Sequence, residues 1–353
     1  MKPTIFILFV LFSFCALTCK KESPVAPKPP PPSGPDTTSH NFTFTQYTFG
    51  GLGGSSYFKD VAIVSDTDIW AVGAIYTSPD STYNAAHWDG KKWLLKQVPF
   101  VGSCSAVMYP PLQGIWAFGT NNILFTNGGS IVHFDGTNAE MDCGMNSLLS
   151  GAINKIFAIN LDNIYIVGNA GTIIHYDGTT WTKQSSGTTI DLYDVWGTAD
   201  GSVVWACGYS NDNFHSILLK YENNQWLTLW QRDGSTAVAP FGYNVGSIWR
   251  ASSTYITSTN GVFRLDSDAS QTQLSSPFSG FTPSLRGNAD NDFVVVGDNA
   301  TIWHYNGKNG KELFGGIATQ PLDACGLRGN ILVAVGSDYS TFPNKALIYV
   351  GLR

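Results

Sequence analysis

Charged residues are scarce in this 353-residue chain, in which Asp, Glu, Lys and Arg together make up only 13 %. The formal net charge is −6, and arginine occurs only six times. Because no basic stripe is present, no nucleic-acid partner is predicted. No window shows convincing helical periodicity, which argues against a helical fold. Nucleophile elbows, P-loops and dinucleotide fingerprints are also missing, so we predict no catalytic residue and no cofactor.

Cysteine is equally sparse, with six residues in the whole chain. Cys15 and Cys19 lie near the N-terminus, and the other four are scattered over the body: Cys104, Cys143, Cys207 and Cys325. No CxxC or other metal-ligand spacing occurs among them. Four scattered cysteines do not form a disulfide scaffold, so buried thiols are the default interpretation. Their pairing stays open, because export would permit disulfides.

The first 18 residues have the organisation of a signal peptide. Lys2 supplies a positive charge, and the run over 5–17 is almost continuously apolar. This run is too short to span a bilayer comfortably but suits the apolar region of an export signal. It ends in LTC (17–19), which resembles a bacterial lipoprotein signal. The resemblance implies a lipid on Cys19 and an extracytoplasmic protein anchored to the bacterial outer membrane or cell surface; ordinary secretion with cleavage nearby is the alternative.

Residues 19–40 form a proline-rich linker. Pro29–Pro32 is an uninterrupted proline run. Such a run favours extended polyproline II and cannot form a core. The segment is therefore predicted to hold a folded body away from a membrane surface.

What the chain has in abundance is glycine, with 37 residues, and aromatic side chains, at 13 %. From residue 41 onward these occur in a repeated unit, which is clearest over 164–183, IYIVGNAGTIIHYDGTTWTK. Short β-rich runs alternate there with turn residues. Asp177-Gly178 predicts a type I′ hairpin turn, with positive φ at both central residues.

Copies of this turn mark the end of the third strand in each unit. They lie 40 to 46 residues apart, at Asp89, Asp135, Asp177, Glu222, Asp266 and Asn306. A second landmark precedes each copy and is assigned to the second strand, as in DIWAVG (68–73), GIWAFG (114–119) and NIYIVG (163–168). The period matches one four-stranded blade of a β-propeller.

A seventh unit, ILVAVGSD followed by KALIYVG, ends after its third strand. A spare β-rich segment, NFTFTQYTF, lies at the other end of the body. Such a segment can supply the missing strand and join the first and last blades. The sequence therefore predicts an all-β, seven-bladed β-propeller over 41–353 whose last blade is closed by the N-terminal strand.

The repeats resemble those of secreted bacterial β-propellers of the kelch-like and neuraminidase-repeat-like kind. The similarity lies in D-[IV]-W-x-V-G followed by G-x-I-x-H-Y-D-G-x-x-W, and it covers almost all of the chain after the linker. It implies an extracytoplasmic propeller. Two departures concern function: Asp177 and Gly178 are adjacent, unlike the spaced Asp and Gly of a neuraminidase Asp-box, and the units carry one glycine where kelch repeats carry two.

Four histidines share one repeat position, just before an aromatic residue: His87, His133, His175 and His304. Equivalent positions in a ring lie in different blades, so these side chains cannot converge on one metal ion. We interpret each as a strand-edge residue bonded to a neighbouring turn, and we predict no metal site. The repeated tryptophans are interpreted as packing between blades.

Arginine provides the one deviation that points beyond packing. Arg286 in SLRGN and Arg328 in GLRGN are predicted to share one register in the first strands of consecutive blades, where Trp196 and Trp249 stand in earlier blades. First strands line the central channel, so the two guanidinium groups could jointly bind a carboxylate or sulfate. The alternative is that each bonds backbone carbonyls or an adjacent acid.

Two functions are compatible with these observations. The leading hypothesis is a monomeric, non-catalytic surface lipoprotein whose propeller binds a protein or glycan at one face or at the channel mouth. The rival is a glycan-active hydrolase or lyase with its site at the channel mouth. Paired carboxylates near the arginines would favour the rival. The ligand and the binding face are not predicted.

Overall fold

The computed structural model describes residues 37–353, apart from 103–104, 211 and 213–214. The predicted signal peptide over 1–18, the lipid-attachment residue Cys19 and most of the linker lie outside this range. Within the described residues, no helix has the length and apolar character needed to cross a membrane.

Seven antiparallel sheets of four strands make up this part of the chain, and each is one blade. From first to fourth strand, they are blade 1, β2 (Tyr57–Ser65), β3 (Asp68–Ser78), β4 (Ser81–Trp88) and β5 (Trp93–Lys96); blade 2, β8 (Gly114–Gly119), β9 (Asn122–Thr126), β10 (Ile131–Phe134) and β11 (Ala139–Asp142); blade 3, β12 (Ile153–Asn160), β13 (Asn163–Gly168), β14 (Thr172–Tyr176) and β15 (Trp181–Gln184); blade 4, β16 (Leu192–Gly197), β17 (Val204–Tyr209), β18 (His215–Glu222) and β19 (Gln225–Asp233); blade 5, β20 (Val245–Arg250), β21 (Thr254–Ser258), β22 (Gly261–Ser267) and β23 (Ser270–Gln273); blade 6, β24 (Ser284–Ala289), β25 (Asp292–Gly297), β26 (Thr301–Tyr305) and β27 (Gly310–Phe314); and blade 7, β28 (Leu322–Arg328), β29 (Ile331–Asp338), β30 (Lys345–Leu352) and β1 (Thr43–Phe49). A separate hairpin, β6 (Phe100–Gly102) with β7 (Ser105–Met108), lies between blades 1 and 2 in sequence, and two 3₁₀ turns occupy Asn146–Leu148 and Asp298–Ala300.

The first strands form a closed inner ring. Each contacts the first strands of the blades before and after it, and the ring closes between β28 and β2. The predicted seven-bladed propeller is confirmed. Radial closure leaves only short, protected sheet edges, which limits edge-to-edge aggregation.

Strand β1 completes blade 7, as predicted. It pairs antiparallel with β30 over its whole length. Phe44 of β1 packs against Phe314 in blade 6, and Tyr47 packs against Trp93 in blade 1. One strand therefore contacts three consecutive blades and ties the two ends of the ring together.

A second connection between the chain ends centres on Asp292, at the start of β25. Its carboxylate accepts two hydrogen bonds from Arg353, with Nη1 2.7 Å from Oδ1, and one from Thr38 Oγ1 at 3.2 Å. His304 Nε2 lies 2.9 Å from the same Oδ1, and its Nδ1 lies 2.8 Å from Nδ1 of His40. Burial opposes ionisation, but the bonds from His304 and Arg353 hold the pKa of Asp292 below its usual range. The end of the predicted linker thus packs on blade 6.

The predicted type I′ turn at Asp177-Gly178 is wrong. Of the turn residues only Gly178 has a positive φ, +90°. The Asp177 carboxylate instead accepts hydrogen bonds from the backbone N–H groups of Thr179 and Thr180, at 2.9 and 2.8 Å. These bonds hold the pKa of Asp177 below its usual range. The same arrangement recurs after the third strands of other blades, at Asp89, Asp135 and Asn306.

Blade 2 departs from the predicted strand order. GIWAFG (114–119) is the first strand, β8, and not the second, which is β9 with the sequence NILFT. The strands of this blade are short, so three of them occupy a stretch that holds two longer strands in blade 1. The assignment was wrong because GIWAFG and DIWAVG (68–73) are both apolar runs that end in glycine.

The repeated histidines were predicted to bond a neighbouring turn, and each instead bonds the first residue of the second strand in its own blade. Each Nε2 lies 2.8–2.9 Å from a side-chain oxygen at the start of the second strand, in the pairs His87–Asp68, His133–Asn122, His175–Asn163 and His304–Asp292. The part of the chain that the structure describes contains no group of three His, Cys, Asp or Glu side chains placed to hold a metal ion. Trp70 packs against Phe125 in blade 2, which confirms the predicted inter-blade role for this tryptophan.

The cysteines differ in state. Cys207 and Cys325 carry free, buried thiols, as the default interpretation expects. Cys143 is disulfide-bonded, so the interpretation as a thiol is wrong there. Disulfides persist in oxidising compartments and are rare in reducing ones.

Candidate functional site

The inner ring encloses a channel that carries buried charges near its middle. Asp60 in blade 1 and Asp194 in blade 4 occupy equivalent positions in their first strands, one opposite Val72 and the other opposite Cys207. Both acidic side chains are only 3 % exposed. A buried charge is costly unless it is paired and hydrogen-bonded. Each of the two acids has such partners in two other blades.

Asp60 connects blades 1, 2 and 3. Its Oδ1 lies 2.6 Å from Lys155 Nζ in blade 3. Its Oδ2 accepts a hydrogen bond from the backbone N–H of Ile115 in blade 2, at 3.1 Å. We name this set of contacts the Asp60 staple.

Asp194 repeats the arrangement in blades 4, 5 and 6. Its two oxygens accept hydrogen bonds from Arg286 in blade 6, at 2.7 and 3.0 Å. Oδ2 also accepts from the Ser247 hydroxyl and from the Ile248 backbone N–H of blade 5. Burial acts against both charges, but the pairing prevails, so the pKa of Asp194 lies below its ordinary value and that of Arg286 above it. We name this set the Asp194 staple.

Sequence reasoning missed both staple acids, because aspartate draws attention in turns and not in strands. The available signal is an Asp-Val step inside a first strand, at 60–61 and 194–195. An acid at such a position has no turn backbone to bond. Its presence therefore predicts a partner from elsewhere in the ring.

On the side where the first strands end, the channel opens into a cavity of about 360 Å³, which we name the end-side cavity. Residues from the first strands of all seven blades line it. The ladders place one equivalent residue per blade around this part of the ring: Ala62, Trp116, Phe157, Trp196, Trp249, Arg286 and Gly326. Four consecutive blades thus contribute aromatic rings, and the other three contribute small or cationic residues.

The aromatic side of the ring is a packed cluster. Trp116 lies with its ring centroid 5.2 Å from those of Phe157 and Trp196, in edge-to-face arrangements that aromatic pairs favour. The Arg286 guanidinium lies 4.7 Å from the Trp196 ring centroid, within cation–π distance. The cluster offers flat apolar surface to anything that enters the cavity.

Arg286 and Arg328 do not share one register, so that prediction is wrong. Arg286 lies inside its strand opposite Val294, whereas Arg328 is the last residue of its strand, opposite Ile331. Gly326 is the ring equivalent of Arg286. The similar pentapeptides differ in position because the GN after Arg328 forms the turn, while the GN after Arg286 still belongs to β24.

Both arginines nevertheless line the end-side cavity. Arg286 is 11 % exposed and its charge is neutralised by Asp194. Arg328 is exposed, and its Nη1 donates a hydrogen bond to the backbone carbonyl of Ile63 at 3.1 Å. It pairs with no carboxylate among the described residues. Arg328 therefore supplies the positive charge that the cavity presents to a ligand.

Comparison with known proteins identifies the fold and no family. No family model and no curated protein matches the sequence. YCF48 bound to D1 peptide superposes with a TM-score of 0.62 at 13 % identity, over 91 % of this chain and 98 % of that one. A catalytically inactive virginiamycin B lyase from Staphylococcus aureus with quinupristin gives 0.61 at 10 %, over 87 % and 99 %. YCF48 from Cyanidioschyzon merolae gives 0.57 at 11 %, over 87 % and 98 %.

At such identities the likeness shows a shared fold and nothing finer. The predicted affiliation with kelch-like or neuraminidase-repeat-like propellers stays a prediction.

Proposed function

We propose that this protein is an extracytoplasmic, lipid-anchored binding protein whose propeller takes up an anionic segment of a protein partner in the end-side cavity. The observation that carries the proposal is the cavity itself, with aromatic rings on one side and the charge of Arg328 on the other. YCF48, a structural neighbour, has been solved with a bound peptide, which supports a protein partner here.

The chemistry of the cavity selects a carboxylate attached to an apolar or flat group. A guanidinium fork matches carboxylate geometry and can form two parallel hydrogen bonds. Trp116 and Trp196 offer apolar surface to the rest of the ligand. Because the chain as a whole has a net charge of −6, Arg328 provides local attraction against a repulsive background. Binding should therefore weaken with rising salt.

Catalysis on a glycan would need a carboxyl group free to transfer a proton. The carboxylates of Asp194 and Asp60 interact electrostatically with Arg286. Asp194 is fully engaged in its staple with a lowered pKa, and Asp60 is engaged by Lys155 and a backbone N–H. A general acid requires the opposite shift. These contacts favour a binding role over hydrolase or lyase activity.

Arg328→Ala is expected to weaken binding of an aspartate- and phenylalanine-rich peptide about tenfold or more, since a hydrogen bond to a charged group is lost. The melting temperature should hardly change, because Arg328 is exposed. The affinity is measured by titrating the peptide into the full-length protein and following the tryptophan fluorescence. Arg264→Ala, an exposed arginine paired with Asp266, is the matched control and should leave binding unchanged.

Chondroitin sulfate in a parallel titration presents the same anionic chemistry on a glycan. If the protein binds chondroitin sulfate but does not bind the peptide, the proposal of a protein partner is overturned. If Arg328→Ala binds the peptide as tightly as the wild type does, the proposed binding site is overturned. Arg286→Ala is unsuitable as a binding test. It leaves Asp194 buried without its partner, so we expect it to lower the melting temperature.

Lipid anchoring is tested at Cys19, which lies outside the described residues. Metabolic labelling with a fatty-acid analogue is expected to mark the wild-type protein, and Cys19→Ala should abolish the label. The disulfide at Cys143 fits an oxidising compartment, which supports export. Labelling that persists in Cys19→Ala but is lost in Cys15→Ala would assign the lipid to the other cysteine.

A further inference from the structure

A β-bulge recurs around the opposite mouth of the channel, where the first strands begin. In five blades the ladder between the first and second strands skips one residue at this point: Lys59, Asn154, Tyr193, Gly246 and Asp323. All five line one cavity of about 200 Å³, which we name the start-side cavity. A bulge re-aims a side chain relative to the regular strand. Here it directs one residue per blade into the channel.

In blades 2 and 6 the ladder between the first and second strands has no bulge at this end, and the residue before the first strand completes the ring. Gln113 and Pro283, directly before β8 and β24, line the same cavity. Its inner end meets the staples, because Lys155 lines both cavities and Asp194 lines this one. The two cavities thus lie on opposite sides of the same charged layer and can be altered separately.

The charges around the start-side cavity are balanced. Lys59 Nζ lies 3.1 Å from Asp323 Oδ1 at the rim. The deeper charges belong to the staples, in which each acid has its own base. No arginine or lysine lining this cavity stands without an acidic partner among the described residues. The cavity therefore has little to attract a net-charged ligand.

One wall of the start-side cavity is aromatic. Tyr193 and Tyr209 stack with ring centroids 4.5 Å apart and an interplanar angle of 30°. Phe281 meets Tyr209 edge-on at 4.8 Å. The phenol rings are held in place by one another and by Phe281. They form a fixed flat surface beside the polar residues that surround the start-side cavity.

We propose that the start-side cavity binds one neutral saccharide unit. A sugar hydroxyl both donates and accepts hydrogen bonds, which suits the carboxamide of Gln113 and the Lys59–Asp323 pair. The C–H face of a sugar ring suits the stacked tyrosines. The volume is below the roughly 300 Å³ at which pockets for drug-sized ligands begin, so about one ring is accommodated. This site is separate from the anionic site of the proposed function.

The test uses the full-length protein with glucose, galactose, mannose and N-acetylglucosamine, each by saturation-transfer NMR and titration calorimetry. At least one sugar is expected to bind in the millimolar range, with little dependence on salt, because the sugar itself carries no charge. Gln113→Ala should weaken binding roughly fivefold through loss of one neutral hydrogen bond. Tyr209→Leu should weaken it through loss of the stacking surface. Arg328→Ala, at the other mouth, should leave it unchanged.

Two results would overturn the proposal: no binding of any of the four sugars up to high millimolar concentration, or binding that Gln113→Ala and Tyr209→Leu leave unaltered. Thermal melts of both variants check that they fold. If Tyr209→Leu is unstable, Gln113→Ala still tests the proposal, because Gln113 lies directly before β8 and outside the strand. Peptide binding at the end-side cavity is measured in the same variants, so failure of one site is distinguished from failure of the other.

Discussion

Asp194→Ala is expected to lower the free energy of unfolding by about 3–5 kcal/mol, the range for removing one partner of a buried ion pair. The substitution leaves the Arg286 guanidinium, 11 % exposed, without its carboxylate. It also removes the acceptor of the Ile248 backbone N–H in the neighbouring blade. Three blades lose a shared contact at once. Guanidinium denaturation followed by tryptophan fluorescence measures the change.

A matched control is Asp266→Ala, which removes an acid from an exposed pair with Arg264 and should change stability little. Arg286→Ala should be about as damaging as Asp194→Ala. The double variant should lose less than the sum of the two, because the residues are coupled through one pair. Equal effects of Asp194→Ala and Asp266→Ala would contradict a structural role for the Asp194 staple.

The same pair makes stability depend on pH. The pKa of Asp194 is lower in the folded state than the roughly 3.9 of an unfolded aspartate. Stabilisation by the charged form is therefore present above that value and is lost as the pH falls through the folded pKa. Asp292 contributes in the same direction. We expect the free energy of unfolding to fall more steeply with decreasing pH in the wild type than in Asp194→Ala. Denaturation over a pH series measures this difference, which isolates the contribution of Asp194.

The number of blades and the closure of the ring could be predicted, because short sequence patterns determine both. The third strands of blades 1, 2, 3 and 6 are followed by an Asp or Asn that bonds the turn backbone, so the same turn returns at the period of a blade. The spare strand at 43–49 and the missing strand after β30 are equally visible along the chain. Local patterns also misled, since GIWAFG resembles a second strand and the two RGN triplets stand in different places relative to their turns.

The staples could not be predicted in the same way, because their partners meet only through the closure of the ring. Asp60 and Lys155 are 95 residues apart, and Asp194 and Arg286 are 92 apart. No local rule links such positions. The register of Arg328 was similarly hidden, because the RGN triplet stands inside the first strand of blade 6, whereas in blade 7 its arginine is the last residue of the strand. Chemistry in this channel depends on which side chains the ring brings together.

Deletion of residues 41–50 is expected to make the protein aggregate or unfold early. It removes β1, which pairs with β30 along its whole length. The exposed edge of β30 would then present unpaired backbone groups to other chains. The packing of Phe44 on blade 6 and of Tyr47 on blade 1 is lost as well. Loss of one strand is comparable with the whole stability margin of a domain, about 5–15 kcal/mol.

Thermal unfolding with light scattering measures the effect, and a synthetic peptide of residues 41–50 provides the matched test. Added to the truncated protein, it should restore the melting temperature by strand addition to β30, whereas a scrambled peptide should not. Arg353 can still pair with Asp292 in the truncated chain. Rescue by the peptide would therefore show that the strand, and not this ion pair, closes the ring. A truncated protein that melts like the full-length one would show that the ring closes without β1.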